Sequence, residues 1–302
     1  MELWASGFNA WGQLNFSGAD RVGAQDLQHF IRILEDESIR VLRTSVSATL
    51  GLIERILTQR GTRIAGSPDE FIQHCQKESD NAPSAAIAGN EKIAAFIPGG
   101  PNQHRLVEYK NFEDAPTILG EFEEMQDIVA NQTTFTALAK SGHIYTWGDG
   151  RYPNCLGRDI DGNSADVPGI VDDLVELAAR GITKISSAGY VTAALTKDND
   201  VYVWGGRAGQ KPMLEGLGGT PIPLDLDGED FFDVAVGMDH MLIVTTGQKL
   251  FAVGSGKSRQ LGLDVEEAED WIEVKLPLQE GQRIVGIHAG YKNSFVLVDN
   301  TT

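Results

Sequence analysis

Four segments of the chain carry the same succession of residues. Residues 143–157 read HIYTWGDGRYPNCLG, residues 200–210 DVYVWGGRAGQ, residues 249–262 KLFAVGSGKSRQLG and residues 3–14 LWASGFNAWGQL. Each is a short β-prone run, a glycine and a polar turn. A second element lies upstream: ISSAGYVTAAL at 185–195, VAVGMDHMLIV at 234–244, IHAGYKNSFVL at 287–297, and IVANQTTFTAL at 128–138 with Asn in place of Gly. Each of these reads as strand, tight turn, strand. Gly189 to Gly205 spans 16 residues, and Gly237 to Gly254 and Asn131 to Gly148 span 17 each. Spacing this constant means one structural unit used repeatedly.

Two weaker copies fill the remaining chain. Residues 39–61 keep three strand-like runs but lose the Trp, and residues 84–100 keep only the last two strands clearly. With Gly7, Gly61, Gly99, Gly148, Gly205 and Gly254 as anchors, the period is near 50 residues and six repeats are counted. Residues 283–300 supply the first two strands of a repeat, and residues 3–14 supply the strand and turn that follow. Pairing them hides two open strand edges. A single small sheet cannot cover both its faces, whereas sheets packed around an axis cover each other. The expected fold is therefore an all-β closed propeller of six blades. It forms one domain over residues 1–302, and residues 2–6 complete the blade begun by residues 284–298.

The succession of strand, Ala/Val-Gly, two residues, Thr/Ser/His, strand, turn, strand, Trp-Gly and Gln-Leu-Gly resembles the regulator-of-chromosome-condensation repeat. Val236-Gly237-Met238-Asp239-His240, Val201-Tyr202-Val203-Trp204-Gly205 and Gly12-Gln13-Leu14 carry it. Residues 127–299 and 2–15 match well, and the blades within 17–126 are degenerate. The resemblance implies four-stranded blades, usually seven. It does not fix a function, because the family includes the nucleotide exchange factor for the GTPase Ran, a plant ultraviolet-B photoreceptor and ubiquitin-ligase modules. For His240, at a motif position, it implies a structural turn hydrogen bond.

Charge narrows the partners. The formal net charge is −18, which repels phosphate backbones and anionic membrane surfaces. No direct nucleic acid and no membrane partner is expected. The natural partner is a protein with a basic surface, met by a monomer or within a hetero-complex. No apolar run reaches the length of a membrane span, and residues 1–10 do not read as a signal peptide. Cys75 and Cys155 match no metal or redox spacing. A cytoplasmic or nuclear location is expected.

The chemistry-bearing motifs are absent from the sequence: no nucleophile elbow, Walker loop or dinucleotide fingerprint occurs, and the six histidines do not pair at metal-ligand spacing. No catalytic residue, cofactor or metal is expected. Residues 159–166 faintly match a calcium loop, but Ser164 stands where the turn glycine is needed. Trp147 and Trp204 fall at equivalent repeat positions and are expected to pack between blades. Trp11 and Trp271 fall in turn-like segments, either as exposed anchors or as half-buried loop residues. Three acidic runs are expected on loops between repeats: Glu121, Glu123 and Glu124; Asp225, Asp227, Glu229 and Asp230; and Asp264, Glu266, Glu267, Glu269 and Asp270. Residues 24–36 and 170–180 carry apolar residues at helical spacing and are expected as helices.

The leading reading is a non-enzymatic protein-interaction scaffold or regulatory subunit. It binds a partner on one rim through Trp11, Trp271 and the second and third acidic runs. The alternatives are nucleotide exchange on a small GTPase and an enzyme using the central channel.

Overall fold

The computed structural model describes residues 1–16, 25–55, 59–77 and 85–300. Residues 17–24, 56–58, 78–84 and 301–302, among them the first residue of each of the stretches 24–36 and 84–100, lie outside the described part.

The strands are β1 (Glu2–Gly7), β2 (Leu27–Glu35), β3 (Ser38–Thr44), β4 (Ala48–Arg55) and β5 (Gln59–Gly66), then helix α1 (Glu70–Lys77). Next come β6 (Ala85–Ile87), β7 (Ile93–Pro98), β8 (Gln103–Tyr109), β9 (Thr117–Glu123), β10 (Met125–Ala130), β11 (Thr134–Ala139), β12 (Ile144–Gly148) and β13 (Gly169–Ile170). After the short helix α2 (Val175–Ala178) follow β14 (Ile182–Ala188), β15 (Val191–Thr196), β16 (Val201–Gly205) and β17 (Ile222–Pro223). The last are β18 (Phe231–Val236), β19 (His240–Thr245), β20 (Leu250–Ser255), β21 (Glu267–Val274), β22 (Gln282–Ala289) and β23 (Asn293–Asn300).

Among the described residues these form five four-stranded sheets and one three-stranded sheet, β3-β4-β5. Four of the sheets follow chain order as simple antiparallel meanders: β6 to β9, β10 to β13, β14 to β17 and β18 to β21. The remaining four-stranded sheet has the order β2-β1-β23-β22, so β1 is its third strand, as the wrapped repeat requires. Leu3 pairs with Leu297 on one side of β1 and with Leu34 on the other, both antiparallel.

The equivalence of the repeats extends to an irregularity. In four sheets the first strand carries one extra residue against the second: Leu42, Gln126, Thr183 and Val285. Such a bulge sharpens strand twist. The second strands are the core of the fold: β11, β15 and β19 are buried at every position. They read as continuous runs of apolar and small residues because both faces are covered.

The chain divides into two compact units, Met1–Pro83 with Phe232–Thr302, and Ser84–Phe231. In the first, Leu242, Val244, Ile287, Val296 and Phe30 share one cluster, and Leu3, Leu14, Phe16, Ile39 and Phe295 another. In the second, Phe135, Trp147, Leu106 and Ile128 pack together, as do Leu138, Ile185, Ala194 and Trp204. Trp147 and Trp204 are fully buried, as their repeat positions imply. Among the described residues no helix is long and apolar enough to cross a membrane.

Three expectations are corrected. Residues 24–36 are not a helix: from Leu27 they form strand β2. Its ladder with β1 has irregularities that add residues between Leu27 and Leu34. These break the two-residue alternation, so that buried Leu27, Phe30 and Ile33 fall three apart and imitate a helical stripe. In the weak repeats, Gly66 rather than Gly61 closes the third strand. Gly99 lies in the hairpin between β7 and β8, not after a third strand. Residues 170–180 are only partly helical: Ile170 ends β13, and a 3-10 turn over Asp172–Leu174 leads into α2. That helix stops where foreseen, with the Gly181 amide, at φ 99°, donating to Leu177 and Ala178 carbonyls.

Candidate functional site

The recurrent motif residues are consumed by packing. At Gly205 an added Cβ would lie 2.1 Å from the Tyr190 carbonyl oxygen, at φ 126°. Gly7, Gly66, Gly148 and Gly254 face the carbonyls of Lys292, Ser47, Thr133 and Asp239 in the same way. The loops after the third strands β1, β12 and β20 then dock: Leu14, Leu156 and Leu261 are fully buried. Hydroxyls fix these loops, Ser294 Oγ donating to the Gln260 carbonyl at 2.6 Å and Thr146 Oγ1 to Leu156 at 2.6 Å. His240, wholly buried, lies 2.9 Å through Nε2 from Ser294 Oγ. The contact is structural, as the motif position implied, but it joins β19 to β23 of another sheet rather than closing a turn.

The stretch that resembled a calcium loop closes around a side chain. Arg158 donates from Nε to Thr146 O (3.2 Å), from Nη1 to Asp159 O and Asn163 O (3.1 and 2.8 Å), and from Nη2 to Ser164 O and Val167 O (3.1 and 2.8 Å). The carbonyls that would face a cation already face a guanidinium. Burial holds the Arg158 pKa below its ordinary value, with Asp172 opposing that shift. Sequence reading passed over Arg158 because an isolated arginine between polar residues carries no periodic signal.

A His-carboxylate-hydroxyl group joins β9 of the neighbouring sheet to the start of β12. Glu123 Oε1 lies 2.8 Å from His143 Nδ1 and accepts the Tyr145 hydroxyl at 2.8 Å. Ser141 Oγ lies 3.2 Å from the same Nδ1. A relay from serine through imidazole to carboxylate needs opposite ring nitrogens, so this arrangement does not activate the hydroxyl. Burial and the Glu123 hydrogen bond push the Tyr145 pKa up to about 12.

Among the large apolar side chains that the packing leaves exposed, Trp11 is the one tryptophan. Its indole is 58% exposed, yet its loop is fixed. The Trp11 amide donates to Gln13 Oε1 (3.0 Å), the Gly12 amide to Asn9 O (2.9 Å) and the Leu14 amide to Asn9 Oδ1 (2.9 Å). Gln13, fully buried, donates through Nε2 to the carbonyl of Val46, itself 46% exposed. A hydrogen-bonded loop thus presents an indole, with an exposed valine on the turn it is tied to.

No protein-family model matches the chain. It is similar to the regulator of chromosome condensation of Drosophila melanogaster, 34% identical over 140 residues, covering 45% of this chain and 24% of that protein. It is 29% identical over 171 residues to the E3 ubiquitin-protein ligase HERC2 of Mus musculus, covering 53% of this chain and 3% of that one. The matches therefore span well under half of these relatives. The crystal structure of Prp20p from Saccharomyces cerevisiae aligns over 100% of this chain and 92% of its own, at 13% identity and TM-score 0.66. The chain resembles the regulator of chromosome condensation and shares its propeller fold.

On this regulator-like propeller fold the acidic runs are placed differently from expectation. Glu121 and Glu123 lie on β9, not on a loop, and Glu121 pairs with Arg105 at 2.9 Å. Glu267, Glu269, Asp270 and Trp271 lie on β21, the outermost strand of its sheet, and only Asp264 and Glu266 precede it in the loop. Charge on an outer strand deters pairing with other chains, which is why acidic residues fit a strand here. Trp271 is half-buried rather than a turn anchor, and Asp264 pairs with Arg259 at 2.7 Å. Asp225, Asp227, Glu229 and Asp230 do lie in a connection, closed by the Gly228 amide donating to Asp225 Oδ1 at 3.1 Å. That connection leads into the first strand of the sheet β18 to β21, whereas Asp264 and Glu266 lead into the fourth. In an antiparallel meander these strands begin at opposite ends, so the two runs do not share an end of this sheet.

Proposed function

We propose that this chain is a non-enzymatic protein-interaction scaffold or regulatory subunit, and that Trp11 anchors its partner. The exposed indole on a loop tied down by hydrogen bonds at Trp11, Gly12 and Leu14 carries this reading. Binding energy concentrates in aromatic anchors, and a preorganised loop loses little entropy on association. The acidic residues Asp225, Asp227, Glu229 and Asp230, and Asp264, Glu266, Glu267, Glu269, Asp270 with Trp271, contribute as a field that speeds encounter with a basic protein. Prp20p has binding properties toward Gsp1p and histones, and a basic protein of the histone kind suits a chain of net charge −18. In this reading the six sheets close as six blades of one ring.

The test is quantitative capture from the source cell with wild-type protein and with Trp11→Ala. A partner retained by the first and depleted in the second supports the proposal.

The resemblance itself favours a second reading, nucleotide exchange on a small GTPase. Release of a fluorescent nucleotide from a GTPase panel decides it: acceleration by substoichiometric protein replaces the scaffold reading with exchange.

A further inference from the structure

Within the unit Ser84–Phe231, the loop after β12 meets the loop after β16 across a cleft of about 210 Å³. Arg151, Tyr152, Pro153, Asn154, Gly206 and Arg207 line it. Tyr152 and Tyr190 stack with ring centroids 5.7 Å apart and planes 29° from parallel. Arg207 lies against the Tyr190 ring, 5.5 Å from its centroid, with Nη1 3.4 Å from the hydroxyl. Arg151 lies 5.9 Å from the Tyr152 ring. The four side chains form a ladder with a guanidinium at each end.

The two ends are not equivalent. Arg151 is held by Asp149, Nε to Oδ1 at 3.0 Å and Nη2 to Oδ2 at 2.6 Å, and its charge is neutralised there. Arg207 is exposed and has no carboxylate partner among the described residues. Nη1 is directed at the Tyr190 hydroxyl, and the remaining Nε and Nη2 donors form the side-on fork that matches a carboxylate. The cleft is smaller than the roughly 300 Å³ at which small-molecule sites begin, so one side chain suits it better than a cofactor. The Cys155 thiol fixes the loop from below, directed at the Tyr190 carbonyl at 3.5 Å.

We propose that this cleft receives a carboxylate side chain from an acidic segment of a partner protein, paired with Arg207 and packed against Tyr152. The proposal is independent of Trp11. It also does not require the partner to be acidic as a whole. The field of the chain's other charges is screened beyond a Debye length of about 8 Å at physiological salt, while a contact pair is not.

The experiment is a titration of the full chain, at physiological salt, followed by NMR at the arginine Nε–H and tyrosine signals. The probes are acetyl-Gly-Glu-Glu-Gly-amide, its Gln-Gln counterpart and its phosphoserine counterpart. The expected result is a saturable shift at Arg207 and Tyr190 with the glutamate peptide, none with the glutamine peptide, and affinity about tenfold weaker in Arg207→Gln. Arg207→Lys, which keeps the charge without the planar fork, should be intermediate and guards against a folding artefact. Absence of saturation, equal binding of the glutamine peptide, or equal affinity in Arg207→Gln would overturn the proposal. So would binding of the phosphoserine peptide alone.

Discussion

His240 Nε2 donates to Ser294 Oγ across 54 residues of chain, at 2.9 Å. The direction follows from the next link. The single hydroxyl proton of Ser294 goes to the Gln260 carbonyl, so the serine oxygen accepts from the imidazole. Ser294→Ala leaves a buried N–H and a buried carbonyl without partners and should cost about 2 kcal/mol. Urea melts of Ser294→Ala, His240→Ala and the double variant should show a coupling of about 1 kcal/mol. Additive effects would mean that the two side chains act separately.

Gly205 tests the repeat geometry. An alanine there meets the Tyr190 carbonyl at 2.1 Å and also sits at positive φ, so Gly205→Ala should destabilise by about 3 kcal/mol or more. Gly209 has φ 78° but open space around it, and Gly209→Ala should cost only about 1 kcal/mol. Thermal denaturation of the two variants separates the contact from the backbone strain.

Arg158 offers a third check. Arg158→Lys keeps the charge but has three donors on one atom, which cannot reach four carbonyls spread around the loop and a fifth on β12. A loss of about 2–3 kcal/mol is expected in equilibrium unfolding. A neutral outcome would show that the loop holds its shape without the guanidinium.

The pattern of repeats was legible because it rests on short-range signals: a glycine at a fixed interval, the buried second strands and the Trp-Gly step. The sheet shared by β1 and β23 followed from the split repeat. What was not legible had a local physical cause. Bulges in the ladder of β1 with β2 disguised a strand as a helix, and β8, reading QHRLVEY, has no Trp-Gly to mark it. Acidic residues on β9 and β21 read as loops because charge is common in both places. For the site, Trp11 was visible as a candidate but its exposure was not, and the ladder from Arg207 to Arg151 draws on three separate chain segments.

The shared sheet carries its own prediction. Removing residues 1–8 deletes β1, with fully buried Leu3 and Ala5, and exposes the edges of β2 and β23. The truncated protein should lose about 5 kcal/mol or more and aggregate on size-exclusion chromatography. A monomer with unchanged melting would show that β1 does not complete the sheet.

The central claim, that the chain works by holding a protein partner at a fixed indole, is tested most directly by the affinity of Trp11→Ala for the captured partner. Loss of about 2 kcal/mol or more in binding, with the melting temperature of the free protein unchanged, is the predicted result. Equal affinity of wild type and Trp11→Ala for every captured partner would contradict it.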